Sequence, residues 1–366
     1  MTPDVADLQR RARKLLPRNV YDYYAGGSGR ERTLRANEKA WREAWIRPQV
    51  LRDVSSVDTS VRLLGTDFAT PLCVAPTGFH GLAHPDGELA TAAGAAAAGA
   101  LFVLSTRSSR LIEEVAGVVA AAGGTWWFQV YVMRDRALTS GLVQRAAAAG
   151  AAALVLTGDT PFVGRKRRNS AEVASDEDFL VNLGPLDDVS AAVQASDLTF
   201  ADIGWLSEAA GGRLPVVVKG VLRGDDAIAC RAHGAAAVIV SNHGGRQLDG
   251  ALPSAAAVPE VAGALHDGGA CEVYADGGIR YGENALAALG LGARAVFLGR
   301  PALWALACGG AEGVRSLLAG LTDDLAHAMA LAGAASVEQA AGIASPPGGW
   351  ALAAGAAGRC GSESSR

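Results

Sequence analysis

A histidine and an arginine lie three residues apart directly after an apolar run of the chain. His243 and Arg246 belong to the segment Ser241–Asp249, which follows the run 235–240, and two glycines between them favour a turn. A histidine accepts a proton near neutral pH, and a guanidinium binds a carboxylate through two parallel hydrogen bonds. The pair is therefore suited to removing a proton from a small hydroxy acid, although a histidine after a strand is often a purely structural residue.

Short apolar runs of strand-like composition recur along the chain and indicate which elements position this pair. The runs are Pro71–Gly78, Leu101–Thr106, Trp126–Val132, Ala153–Asp159, Val216–Val221, Ala237–Asn242, Cys271–Gly278 and Ala295–Pro301. Most are separated by stretches of helical spacing such as 87–100, 137–150 and 282–291. Eight strands alternating with helices predict an α/β fold of the (β/α)8 TIM-barrel type. An open doubly wound sheet is the alternative, and the count of eight favours closure.

The barrel does not account for the whole chain. We expect an N-terminal helical extension over residues 1–65, with an amphipathic helix at Val5–Leu16, and the barrel over 66–344. A long polar loop, 165–205, follows the fourth strand, and a loop at this end of a barrel strand is usually an active-site element. Residues 345–366 are rich in Gly, Ala, Pro and Ser and are expected to be disordered.

Composition excludes several classes of protein. The chain has 366 residues, half of them apolar, and a net charge of −4, with no basic run longer than four residues, which argues against nucleic acid as a partner. Its five cysteines have neither paired nor metal-like spacing, so we expect reduced thiols and no metal site. No segment reads as a signal peptide or a membrane span. A cytoplasmic location is therefore expected.

Glycines and arginines follow the last two predicted strands. The seventh ends in Asp276-Gly277-Gly278-Ile279-Arg280 and the eighth in Gly299-Arg300. TIM barrels often bind phosphate between these two loops through glycine amides and a helix N-terminus, and arginines suit a dianion. We predict a phosphorylated cofactor or substrate here, against the alternative of ordinary structural turns.

These motifs, taken together, resemble the FMN-dependent 2-hydroxy-acid oxidases and dehydrogenases, a family that includes enzymes acting on glycolate, lactate and mandelate. The resemblance runs from about Leu16 to Gly333. Its strongest stretches are Val20–Gly27, Ala75–Gly78, His84–Glu88, Gln129–Tyr131, Leu156–Pro161, Val218–Gly220, Ser241–Asp249, Asp276–Arg280 and Gly299–Pro301. It implies FMN as cofactor and oxidation of an (S)-2-hydroxy acid to the 2-oxo acid.

The resemblance also implies a role for each substrate-facing residue. His243 would be the base, and Asp159 would lie against its imidazole and stabilise the protonated form. Arg246 and the Tyr23 hydroxyl would hold the substrate carboxylate, while the Tyr131 hydroxyl would bond to the carbon-bound oxygen.

A second set would hold the cofactor. Lys219 would lie near N1 and O2 of the flavin, where it compensates negative charge on the reduced ring. Ser105, Gln129 and Thr157 would bond to the ring edge, and the backbone of Pro76, Thr77 and Gly78 would face N5. Arg280 and Arg300 would bind the phosphate, with Gly277, Gly278 and Gly299 beside them, and Asp276 is also placed among the cofactor-binding residues.

Three positions depart from the family's pattern. Lys166 stands where the family has a loop arginine that also serves the active site, although Arg165 or Arg167 could take that role. Arg107 replaces a common pocket aromatic, which suggests a polar or anionic tail on the substrate unless the side chain points to solvent. Gly78 replaces a frequent alanine and would leave room for a bulkier substrate.

The expected partners are a 2-hydroxy acid, O2 or another electron acceptor, and copies of the same chain in a tetramer or octamer. Two other functions stay open at this point. One is a non-redox, isomerase-like barrel that binds FMN or phosphate, which the set of His243, Arg246, Tyr131 and Asp159 disfavours. The other is a catalytically inactive barrel that retains its flavin.

Overall fold

The computed structural model describes residues 4–168, 181–184, 186, 188–266 and 271–348. Parts of the predicted 165–205 loop and most of the predicted 345–366 tail lie outside these residues. The strands within them are β1 (Trp45–Ile46), β2 (Val61–Leu63), β3 (Thr66–Phe68), β4 (Leu72–Val74), β5 (Phe102–Ser105), β6 (Trp126–Val130), β7 (Leu154–Thr157), β8 (Val216–Val221), β9 (Ala235–Val240), β10 (Glu272–Asp276), β11 (Ala295–Leu298) and β12 (Ala344–Ser345).

Eight parallel strands close into a barrel in the order β10-β11-β4-β5-β6-β7-β8-β9. Closure excludes the open doubly wound sheet and confirms the predicted (β/α)8 fold. Seven barrel strands lie within the predicted apolar runs, and β9 overlaps the run Ala237–Asn242 but begins two residues earlier, at Ala235. Strands such as β7 and β5 are buried at every position because side chains fill the barrel on one face and helices cover the other. All eight carboxyl ends therefore open at one mouth.

Helices surround the barrel at the intervals that the apolar spacing indicates. Those following barrel strands are Gly87–Ala97, Ile112–Ala121, Arg136–Ala148, Ala201–Ala209, Gly224–Ala232, Ser254–Leu265, Gly282–Gly290 and Arg300–Ala332. Small side chains allow close packing, since a Cβ on Gly94 would lie 2.8 Å from Cβ of Val314 on the last helix. Among the described helices, none is long and apolar enough to cross a membrane.

The N-terminal extension packs against the mouth of the barrel. Its helices are Val5–Leu15, Arg18–Ala25 and Arg32–Glu43. The third docks through a reciprocal pair of amide hydrogen bonds between Asn37 and Asn242, at 2.8 and 2.7 Å. Trp41 Nε1 also donates to the carbonyl of Gly277 at 2.7 Å. The extension thus contacts the loops that follow β9 and β10.

Short strands connect the extension to the barrel. β2 and β3 form an antiparallel hairpin, so the expected boundary at residue 65 falls in its turn, and the first barrel strand begins at Leu72. β1, which follows the third helix of the extension, pairs antiparallel with β12 and so joins residues 45–46 to residues 344–345.

Candidate active site

His243 lies on a tight turn at the mouth, three residues beyond the end of β9. Its backbone is left-handed, with φ of 59°, a conformation that non-glycine residues rarely adopt and that is common at functional sites. Nδ1 lies 3.0 Å from Oδ1 of Asp159, which follows β7. Nε2 lies 3.4 Å from the hydroxyl of Tyr131, which follows β6. Three strand ends therefore bring an imidazole, a carboxylate and a phenol together.

Opposing effects act on the pKa values of this pair. Burial lowers the pKa of His243, and that effect exceeds the raising effect of Asp159. Burial alone would raise the pKa of Asp159, but the charges of His243 and Lys219 lower it to about 2. As expected, Asp159 by itself raises the pKa of His243 and so favours the imidazolium. Because burial has the larger effect, the pKa of His243 is nevertheless below its ordinary value. The imidazole is thus neutral and the carboxylate charged near neutral pH.

Arg246 joins the mouth of the barrel to the N-terminal extension. Its Nη1 donates to the carbonyls of Tyr23 at 2.7 Å and Gly26 at 3.1 Å, near the end of the helix Arg18–Ala25. The same guanidinium lies 5.1 Å from the centroid of the Tyr23 ring. Arg246 and Tyr23 therefore occupy one wall of the cleft that contains His243.

Lys219 lies on β8 and is almost fully buried. Its Nζ donates to Oγ of Ser241 at 3.0 Å and lies 3.4 Å from Oδ2 of Asp276. Burial alone would lower the pKa of Lys219, but Asp276 and Asp159 raise it, so the ammonium stays charged. Oδ1 of Asp276 is buried and accepts no hydrogen bond from any described residue.

Ser105, Gln129 and Thr157 form a hydrogen-bonded row across β5, β6 and β7. Ser105 Oγ donates to Oε1 of Gln129 at 2.9 Å, and Nε2 of Gln129 donates to Oγ1 of Thr157 at the same distance. Ser105 lines the cleft, whereas Gln129 and Thr157 do not.

The loops after β10 and β11 place glycines and arginines at the other end of the cleft. Gly277 and Gly278 have φ of 84° and 92°, which favours glycine at both positions. Arg280 pairs with Glu38 at 2.8 Å. Arg300 donates to the carbonyls of Tyr24, Gly244 and Gly26 at 2.9, 2.9 and 3.0 Å. Burial first, and then the nearby Arg246 and Arg280, lower the pKa of Arg300 to about 9.

The cleft contains most of the residues that the sequence analysis singled out. Those lining it are Tyr23, Pro76, Thr77, Gly78, Ser105, Arg107, Tyr131, Lys166, Lys219, His243, Arg246, Asp276, Gly277, Gly278, Arg280, Gly299 and Arg300. Three others do not line the cleft but are linked to residues that do. Asp159 is hydrogen-bonded to His243, and Gln129 is hydrogen-bonded to Ser105 and to Thr157.

Two of the three departures from the family's pattern face the cleft as cations. Nζ of Lys166 lies 4.9 Å from the centroid of the Tyr23 ring, and Cζ of Arg107 lies 5.2 Å from that of Tyr131. The third, Gly78, does not leave free space for substrate. A Cβ there would lie 3.1 Å from Cβ of Arg107, so Arg107 occupies the room that the glycine provides.

Comparison with known proteins decides the family. The profile of the FMN-dependent dehydrogenase family matches residues 12–343. The chain belongs to this family. This confirms the resemblance, FMN as the cofactor and the expected class of enzyme, an oxidoreductase of the FMN-dependent 2-hydroxy-acid oxidase and dehydrogenase group.

Relatives of this FMN-dependent dehydrogenase span nearly its whole length. An L-lactate oxidase from Nostoc sp. is 41% identical over 91% of this chain and 94% of its own. A 4-hydroxymandelate oxidase from Amycolatopsis orientalis is 42% identical over 91% and 95%. A mandelate oxidase solved with benzoyl-formic acid superposes with a TM-score of 0.82, at 41% identity over 93% and 97% of the two chains.

The residues of this FMN-dependent dehydrogenase fit the cofactor. Arg280 and Arg300 both line one end of the cleft, and the charge of Arg280 contributes, after burial and Arg246, to lowering the pKa of Arg300. A phosphate dianion would relieve that repulsion. At the centre, the buried ammonium of Lys219 suits the part of a flavin that becomes negative on reduction.

Some positioning residues of this FMN-dependent dehydrogenase escaped the sequence analysis. Ser241 Oγ accepts hydrogen bonds from both Lys219 Nζ and the amide of His243, at 3.0 Å each. Gln247 Nε2 donates to the carbonyls of Asp159 and Phe162, also at 3.0 Å. Both residues lie in the Ser241–Asp249 segment, so their position in that motif was the available signal.

Proposed function

We propose that this FMN-dependent dehydrogenase oxidises an (S)-2-hydroxy acid with His243 as the base that accepts the substrate proton at Nε2. The observation that carries the proposal is the imidazole held between Asp159 and Tyr131, at 3.0 and 3.4 Å. The neutral state of His243, which follows from its lowered pKa, leaves Nε2 able to take a proton. The L-lactate and 4-hydroxymandelate oxidases among the relatives support this class of substrate.

The remaining side chains bind and orient the acid. Arg246 and Tyr23 hold its carboxylate, since they share one wall of the cleft and the guanidinium lies 5.1 Å from the phenol ring. Tyr131 holds the oxygen on the reacting carbon, because its hydroxyl lies 3.4 Å from Nε2 of His243. Burial raises the pKa of Tyr131, which keeps the hydroxyl protonated and able to donate.

Asp159 stabilises the proton once His243 has taken it. Its Oδ1 fixes Nδ1 of the imidazole, so the free lone pair is at Nε2 and faces the cleft. Its charge, which is held by a pKa of about 2, offsets the positive charge that forms on the ring.

FMN, when bound, supplies the acceptor for the two electrons that leave the substrate. Lys219 would compensate the negative charge of the reduced ring. Ser105, which is hydrogen-bonded to Gln129 and through it to Thr157, and the backbone of 76–78 line the cleft and would hold the ring. Arg280, Arg300 and the amides of Gly277, Gly278 and Gly299 hold the phosphate. Asp276 acts through Lys219, which it keeps charged.

Three further properties belong to the proposal. O2 reoxidises the flavin, which the names of the oxidases among the relatives support. The enzyme works as a homo-oligomer, a tetramer or octamer. A cytoplasmic location is likewise part of the proposal.

The decisive experiment is anaerobic reduction of the bound flavin by a panel of 2-hydroxy acids, followed at the flavin absorbance band. The wild-type protein should bleach with at least one (S)-acid, and His243→Gln should bind FMN yet bleach several orders of magnitude more slowly. Near-normal bleaching of that variant would remove His243 from the role of base. A wild-type protein that no acid reduces would instead favour the inactive, flavin-retaining barrel.

A further inference from the structure

A buried hydrogen-bonded chain lies directly behind one wall of the cleft. Thr77 lines the cleft, and its Oγ1 lies 2.5 Å from Nε2 of His80. Nδ1 of His80 lies 2.8 Å from Oγ1 of Thr91, on the helix Gly87–Ala97. His80 is 1% exposed and Thr91 is fully buried. Neither of these two residues lines the cleft, so they can influence a ligand there only through Thr77.

Several contacts fix the imidazole of His80 in this position. The amide of His80 donates to Oε1 of Glu88 at 3.0 Å. The carboxylate of Glu88 is fully buried and also accepts from the amide and the hydroxyl of Ser109, at 3.0 and 2.5 Å. The ring of His80 packs edge-on against Phe102 of β5, with 6.4 Å between the centroids. These contacts hold the ring with Nε2 directed at Thr77.

The surroundings determine which ring nitrogen carries the hydrogen. Burial lowers the pKa of His80, against the raising effects of Glu88 and of the Thr77 backbone, so the imidazole is neutral and has one donor and one acceptor nitrogen. The hydroxyl of Thr91 donates to the carbonyl of Gly87, four residues earlier in the helix, at 3.4 Å. Its oxygen then accepts from Nδ1 of His80. Nε2 is consequently the acceptor nitrogen, and the hydroxyl of Thr77 donates to it.

Thr77, with its hydrogen directed at His80, presents only oxygen lone pairs to the cleft. Among the described residues, no other group is hydrogen-bonded to this hydroxyl. In the proposed function, the wall of residues 76–78 holds the flavin ring. Two-electron reduction of a flavin adds a hydrogen to N5, which changes that nitrogen from an acceptor to a donor. A neighbouring oxygen that can only accept therefore favours the reduced ring over the oxidised ring.

We propose that His80 is a positioning residue that holds the Thr77 hydroxyl as a hydrogen-bond acceptor towards the flavin ring and thereby raises the reduction potential of the bound FMN. This inference rests on the proposed function in one respect, that the wall of residues 76–78 faces the ring. Loss of His80 would free the hydrogen of Thr77 to donate to N5 of the oxidised ring. A higher potential increases the driving force for oxidation of the substrate, whatever its side chain.

The test measures the midpoint potential of FMN in the holoenzyme, by anaerobic reduction with xanthine and xanthine oxidase beside a reference dye and without any hydroxy acid. His80→Leu should lower the potential by about 30 mV, which is a tenfold change in the ratio of reduced to oxidised flavin for a two-electron couple. His80→Gln keeps an acceptor oxygen near the position of Nε2 and should restore most of the loss. His233→Leu, at an exposed histidine, is the matched control and should leave the potential unchanged.

Substitutions of Thr77 separate this positioning role from a loss of packing. Thr77→Val should lower the potential as His80→Leu does, Thr77→Ser should keep it, and adding His80→Leu to Thr77→Val should cause little further loss. An unchanged potential in His80→Leu, or an equal loss with and without the Thr77 hydroxyl, would overturn the inference. If His80→Leu binds no FMN, equal potentials for Thr77→Val and Thr77→Ser would refute it. Each of these results leaves the proposed function standing, whereas a wild-type flavin that no (S)-2-hydroxy acid reduces would refute that function without changing the measured potentials.

Discussion

Replacement of Asp159 by asparagine tests how the carboxylate supports the base. The variant keeps the size of the side chain and removes its charge from the contact at 3.0 Å with Nδ1 of His243. The pKa of Asp159 falls from 3.8 to about 2 although burial opposes the change, and this net shift corresponds to about 2 kcal/mol in favour of the carboxylate, at 1.36 kcal/mol per pKa unit. His243 and Lys219 are the main causes of the lowering. If most of it acts on the imidazolium, flavin reduction should slow by one to two orders of magnitude.

The pH dependence of this variant has a defined sign. Asp159 raises the pKa of His243, against the stronger effect of burial, so its loss lowers that pKa further. Because the neutral imidazole is the active form, the acidic limb of the profile for the second-order reduction constant should move to lower pH while the plateau falls. The assay is anaerobic stopped-flow reduction between pH 5 and 9, with FMN content and melting temperature measured alongside. Asp67→Asn, at an exposed carboxylate of the β2–β3 hairpin, is the control.

An unchanged plateau in Asp159→Asn would refute the reasoning, because it would mean that the imidazolium is stabilised by other groups. A lower plateau with an unmoved acidic limb would show that Asp159 orients the ring without acting on its charge.

Three further predictions concern the two ends of the cleft. Arg280→Gln should weaken FMN binding by about tenfold to a hundredfold, the range of 1.5–3 kcal/mol for charged hydrogen bonds, yet leave riboflavin binding unchanged, as equilibrium fluorescence quenching would measure. Lys166 has a pKa of about 7, because burial and the charges of Arg246, Arg107 and Arg300 lower it. The KM for the 2-hydroxy acid should therefore rise above pH 7 as Lys166, which lines the cleft, loses its proton, and Lys166→Arg should flatten that rise; a KM that is independent of pH in the wild type would contradict it. Gly78→Ala should displace Arg107, because a Cβ there would lie 3.1 Å from Cβ of Arg107, and should raise the KM for the acid severalfold; an unchanged KM would show that Arg107 adjusts without moving its guanidinium.

The sequence was sufficient to predict the barrel and the strand ends that carry chemistry. Buried parallel strands are continuous apolar runs, so β4 to β11 were recognisable one by one, and residues directly after such runs must meet at one mouth. His243, Lys219 and Arg280 could be placed there for that reason.

Side-chain direction was not predictable in the same way. Arg107 faces the cleft beside Gly78, and it occupies the space that the glycine was expected to leave for substrate. The net pKa of His243 depends on burial, which no local pattern reveals. The pairing of Asn37 with Asn242 joins residues 205 positions apart, and amide pairs leave no periodic signal.

Arg246 and Arg300 donate hydrogen bonds to backbone carbonyls within residues 23–26, and these bonds determine when the site can form during folding. The first of these contacts spans 223 residues and that of Arg300 with Tyr24 spans 276. Contacts of such separation form late, because the intervening chain must first be ordered. On a ribosome, the helix Arg18–Ala25 is synthesised early, yet its contact with Arg300 cannot form until the last barrel strand has been synthesised. A nascent chain that stops short of that strand therefore has no complete wall for substrate, so catalytic competence arises in the final stage of synthesis.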